Sequence, residues 1–122
     1  MADISYSVSY RVSKDFLNAQ VAAGNITATM TLTGLQTQTL TLSTNAVNIS
    51  TANLGQVGLA FLQNLSTATA STCAIGIEAG GSFVGFTTLR AGEPAILRMT
   101  PGTSYSAKGV SGTRLRVDIT EG

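Results

Sequence analysis

Apolar and polar positions alternate with a period of two along nearly the whole chain. Ile4, Tyr6, Val8, Tyr10 and Val12 interleave with Ser5, Ser7, Ser9 and Arg11, which predicts a first strand with one buried face. Lys14 to Ala23 has some helical character and ends at Gly24, so a loop or single turn is expected there. In TATMTLTGLQTQTLTLST (residues 27–44), Ala28, Met30, Leu32, Leu40 and Leu42 alternate with threonines. A hairpin with a three-residue loop would pair Thr33 with Thr37, Thr31 with Thr39 and Met30 with Leu40, keeping the faces unmixed. The alternative puts the two halves in different sheets.

Further along, a short strand surrounds Val47 and Ile49. Leu59 to Leu65 is apolar on both faces and reads as a central strand. Thr72 to Ala79 carries Cys73, Ile75 and Ile77 on one face, and Gly80-Gly81 supplies a two-residue hairpin turn. That turn sets Ile77 opposite Val84, Ile75 opposite Phe86, Gly76 opposite Gly85 and Glu78 opposite Phe83. Pro94 to Thr100 ends at a type II turn signal, Pro101-Gly102. In the last segment Leu115, Val117 and Ile119 point inward and Arg114, Arg116 and Asp118 outward. The expected fold is all-β: one antiparallel β-sandwich over residues 1–122, jelly-roll-like, with about nine strands and residues 1–5 as an extended N-terminal arm.

Charge sharpens this picture by its scarcity. Only 11% of the 122 residues are charged, and none lies between Asp15 and Glu78. Threonine (18 residues) and serine (12) take their place, so the outward faces stay polar but cost far less to desolvate than charged ones. The net charge of +1 and the lack of a basic block argue against nucleic-acid binding. The longest apolar run, about Val57 to Leu62, is too short for a membrane helix, and the first residues lack a secretory pattern, so synthesis in a cytoplasm and no membrane partner are expected.

Chemistry is sparse. The chain has no His and one Cys, which removes His-based triads and structural zinc sites. Cys73 reads as a small buried residue. The carboxylates Asp3, Asp15, Glu78, Glu93, Asp118 and Glu121 are too scattered for a calcium site. A carboxylate pair such as Glu78 with Asp118 has the chemistry for glycoside hydrolysis, but no substrate-binding Trp accompanies it. No catalytic residue, metal or cofactor is expected. The uncharged Thr faces offer candidate subunit-interface residues, Thr29, Thr31, Thr39 and Thr41. Five of the seven basic residues are Arg, the cation favoured at interfaces.

NLGQVGLAFLQNLS and IGIEAGGSFVGFTTLRAGEPAILRM, followed by a short Tyr-Ser-Ala-Lys segment and a final alternating strand, resemble small β-sandwich virion proteins of tailed bacteriophages. The matching frame is Asn64-Leu65, Ile75-Gly76, Phe83 to Phe86, Gly92-Glu93 and Glu121, within residues 53–121. The resemblance implies a structural role without catalysis. The protein would be a head decoration, or cement, protein, often trimeric, that binds the assembled major capsid protein lattice on the virion surface. Ala2, Asp3, Arg90, Arg98, Arg114 and Arg116 are the candidate capsid contacts. The alternative is a carbohydrate- or receptor-binding accessory module of a tail or fibre, with Tyr105 as the candidate aromatic.

Overall fold

The structure, a computed structural model, describes residues 3–30, 33–52 and 54–122. Two units divide the chain at Thr31, and the ten strands among the described residues all pair antiparallel.

Unit one is a two-stranded ribbon, β1 (Ile4–Lys14) and β2 (Leu17–Ala28). Ile4 and Ser5, expected in an arm, pair with Ala28 and Thr27. The stretch expected to be a loop or turn is largely the second strand, because Ala19, Val21 and Ala23 have period-two partners in Val12, Tyr10 and Val8. Cross-strand pairing here overrides the helix preference of the alanines, the highest of any residue type. Asp15 and Phe16 make the tight turn, with Asp15 at a φ of 52°. Gly24 and Asn25 together oppose Ser7 in a β-bulge, and Asn25 has a φ of 53°. The expected burial of the first strand's apolar face does not hold: Val8 is 49% and Tyr10 55% exposed.

Unit two is an eight-stranded sandwich. Its strands are β3 (Leu35–Thr41), β4 (Val47–Asn48), β5 (Val57–Asn64), β6 (Cys73–Ala79), β7 (Ser82–Leu89), β8 (Pro94–Arg98), β9 (Tyr105–Gly109) and β10 (Arg114–Glu121). Sheet I has the order β3-β10-β5-β8 and sheet II the order β4-β9-β6-β7. The pairs are nested: first strand with last (β3, β10), second with seventh (β4, β9), third with sixth (β5, β8), fourth with fifth (β6, β7). This is the winding of a jelly roll, a long hairpin folded over so that its halves face each other across a core.

The core follows from the alternation. Leu115, Val117 and Ile119 of β10 are each fully buried, and they meet Leu42, Leu62, Cys73, Ile75, Tyr105 and Ala107. β5 is central, as its two apolar faces predict.

Two registers differ from expectation. Thr37, Thr39 and Thr41 pair with Asp118, Arg116 and Arg114 rather than with threonines, so the two halves of residues 27–44 lie in different sheets. Pairing with β10 sets Leu40 against Leu115 and packs it, partly buried, against the core, a larger gain than Thr–Thr pairs of about 0.2–1 kcal/mol. In β6–β7 the partners Ile77–Val84, Gly76–Gly85 and Glu78–Phe83 hold, but Phe86 is extruded as a bulge and Ile75 faces Thr87. The turn at Pro101-Gly102 is as expected, with Gly102 at φ 81° and the Thr103 N–H donating to Thr100 O.

Candidate functional site

The outward face of sheet I is defined by β10. Since Leu115, Val117 and Ile119 point into the core, Arg114, Arg116 and Asp118 point out, and cross-strand neighbours share their side. One row across the sheet reads Thr39, Arg116, Gln63, Pro94. The next reads Thr37, Asp118, Phe61, Ile96. Thr41 lies beside Arg114 at one end, and Leu59 beside Arg98 at the other. Phe61 and Ile96 are half-buried and flanked by Arg98, Arg114 and Arg116, which are exposed. An apolar centre with a polar, cationic rim is the anatomy of a protein interface.

Electrostatics distinguish this face from the rest of the molecule. Three arginines and one aspartate give it a formal +2, against +1 for the whole chain. Arg116 is partly neutralised: its guanidinium lies 3.0 Å from the Asp118 carboxylate, two residues along the same strand. Arg98 and Arg114 have no carboxylate within ion-pair distance among the described residues. Their charges are left unneutralised on this face among the described residues.

The sequence candidates therefore separate. Thr39, Thr41, Arg98, Arg114 and Arg116 come together on this one face. Thr29 belongs to the other unit, just past β2. Ala2 and Thr31 lie outside the described residues. Arg90 sits in the β7–β8 turn, where its N–H donates to the Glu93 carboxylate at 2.6 Å, not on the face. Asp3 closes the open end of the ribbon: its N–H donates to Ala28 O and its carboxylate accepts from the Met30 N–H at 2.9 Å. The signal missed in the sequence was Phe61 and Ile96. Both sit in runs that read as core, and only their neighbours across the sheet assign them to the outside.

Other candidate chemistry does not assemble. Glu78 is on the outward side of sheet II and Asp118 on that of sheet I, so the carboxylate pair is split across the sandwich. Glu78 instead lies within 3.2 Å of the Ser106 hydroxyl. Tyr105 is 9% exposed, and its hydroxyl accepts from the Thr100 N–H at 2.9 Å, so it offers no sugar platform. Cys73 is buried, and burial pushes its thiol above the ordinary value, partly offset by a hydrogen bond with the Leu89 backbone. Among the described residues no three His, Cys, Asp or Glu side chains are placed to hold a metal ion. No helix there is long and apolar enough to cross a membrane.

The frame behind the phage resemblance is mostly architectural. Asn64 is fully buried and accepts at its carbonyl from the Gly92 N–H, while its own N–H donates to Glu93 O. Gly76 and Gly85 face each other and leave room for the Phe83 ring, with the Lys108 ammonium 4.8 Å from that ring's centre.

No protein-family model matches the chain, and no curated protein matches it. Among solved structures, a crystal structure of Yersinia pseudotuberculosis-derived mitogen is 18% identical, with 75% of this chain and 88% of that chain covered and a TM-score of 0.44.

Proposed function

We propose that this protein is a bacteriophage capsid decoration, or cement, protein. It binds the assembled major capsid protein lattice as a homo-oligomer, with a trimer favoured by the phage resemblance, and stabilises the head. The role is structural, without catalysis, and its place is the virion surface.

The observation that carries this reading is the outward face of sheet I. Thr39, Thr41, Arg98, Arg114 and Arg116 converge there around Phe61 and Ile96 on one sheet of the jelly roll. Such a face suits a broad protein surface better than a small substrate, because it offers area and charge but no cleft. The jelly roll also recurs among capsid proteins, which supports the reading by analogy only. Binding the assembled lattice and not its separated subunits stabilises the assembled state by mass action.

The test is to mix the purified protein with undecorated, expanded heads. Saturable binding with raised thermal or chemical resistance is the expected result, and absence of binding under any ionic condition overturns the reading. The carbohydrate-binding alternative lost its candidate when Tyr105 proved buried. Glycan-array binding without head binding would revive it.

A further inference from the structure

The ribbon carries an apolar face that its own two strands cannot bury. Ile4, Tyr6, Val8, Tyr10 and Val12 of β1 line up with Ala28, Ile26, Ala23, Val21 and Ala19 of β2, and Leu17 extends the row opposite Lys14. Val8, Tyr10, Leu17 and Val21 are 49%, 55%, 61% and 54% exposed. The reverse side carries Ser5, Ser7, Ser9, Arg11 and Ser13, opposite residues such as Asn18, Gln20 and Thr27. A two-stranded ribbon is marginal in water until another layer covers its apolar side.

We propose that this face is covered by the same face of a second copy of the chain. Area argues for it. With strands of 11 and 12 residues, the face exposes roughly 600 Å² per copy, so two copies would bury about the 1,200 Å² at which stable interfaces begin. Charge argues for it as well. Lys14 at the turn end is the sole ionic side chain in these rows, so stacking face on face desolvates almost no charge, and no charged partner is specified. Shape points the same way. β1 presents a ridge of large side chains, whereas β2 alternates large with small, placing Ala19, Ala23 and Ala28 as gaps. A two-fold related copy sets the ridge of one ribbon over the gaps of the other, the self-complementarity that an isologous contact requires.

This inference goes beyond the capsid reading and does not depend on lattice binding, since the mass in solution decides it whether or not heads are bound; a two-fold contact gives a dimer in place of the trimer that the phage resemblance favours. Sedimentation of the full chain from 1 to 100 µM is expected to show a dimer or larger assembly. Val8→Lys and Val21→Lys are expected to weaken association at least ten-fold, while Ser9→Lys and Gln20→Lys, on the reverse side, leave the mass unchanged. Thiol labelling covers the case in which the lysine variants misfold. Val21→Cys should react with a maleimide slowly at high protein concentration and quickly on dilution, and Ser9→Cys quickly at both. A native chain that stays monomeric at 100 µM, or a Val21→Cys labelling rate independent of concentration, overturns the proposal. Protection of Val21→Cys only when heads are added would also overturn it, by assigning the face to the capsid.

Discussion

The carboxamide of Asn64 donates a hydrogen bond to the carbonyl of Leu89 at 3.2 Å, tying the end of β5 in sheet I to the end of β7 in sheet II. The same group donates to Ser71 O at 2.8 Å, and its oxygen accepts from the Ser66 N–H at 3.0 Å. Asn64 is 0% exposed; its bond to Leu89 O is made out of water, and those to Ser71 and Ser66 are half-buried. The residue also stands in an Asn-Leu-Ser glycosylation sequon, and its burial makes that sequon unusable in the folded protein.

Asn64→Leu leaves the Leu89 and Ser71 carbonyls and the Ser66 N–H without this partner. A loss of about 2–4 kcal/mol in unfolding free energy is expected from stranding buried polar groups. Urea titration followed by circular dichroism measures it. A loss below about 1 kcal/mol would mean that water replaces the carboxamide.

Gly76 faces Gly85, and a methyl group at Gly76 would meet the Val84 carbonyl, the Gly85 Cα at 2.8 Å and the Phe83 ring at 2.8 Å. Two of these are backbone atoms that cannot move alone. Gly76→Ala should therefore cost about 1–3 kcal/mol, as overpacking does. Gly24→Ala, where no neighbour lies within 4 Å, should change stability by less than about 0.5 kcal/mol. Thermal melts of the two variants make the comparison.

Reversing Arg98 and Arg114 to Glu takes the outer face of sheet I from a formal +2 to −2. Both side chains are exposed, so folding should change by less than about 0.5 kcal/mol. Head binding is expected to fall on the order of 100-fold, and binding of the unaltered protein to weaken as salt shortens the Debye length. Titrating heads at several ionic strengths checks both. Full binding by the double variant would remove this face from the contact.

Burial of Cys73 raises its thiol above the ordinary 9.0. A raised folded value means that the native state holds the proton more tightly than the unfolded chain. The stabilisation is present below pH 9.0 and is lost as pH rises from there through the folded value. Unfolding free energy should decline over that alkaline window in the native protein and less so in Cys73→Ala, once that variant's constant packing loss is subtracted. Alkylation of Cys73 should be slow in buffer and rapid in urea.

Much of the sandwich was legible because each signal was local. The 115-117-119 alternation named its own core face, Gly80-Gly81 named its turn, and the run from Leu59 to Leu65 named a central strand. Over Lys14 to Ala23 the ribbon is not legible, because alanine-rich residues reveal a strand only through a partner. The pairing of the Thr-rich stretch is not legible either, because period two assigns a residue to a face but not to a neighbour. Half of the candidate site was visible for the same reason: Arg114 and Arg116 announce an outward face, whereas Phe61 and Ile96 read as core.

The order of residues alone makes this an all-β chain, shows which side of most strands meets the core, and leaves residues 16–77 threonine-rich and free of charge. Those properties follow from side-chain type and a two-residue repeat. It takes the folded chain to show that β3 pairs with β10 across more than seventy residues, that Arg98 joins Arg114 and Arg116 on one sheet, and that Asn64 links two sheets. Strand partnership depends on how much apolar surface each pairing buries, a sum over distant residues that no single segment contains.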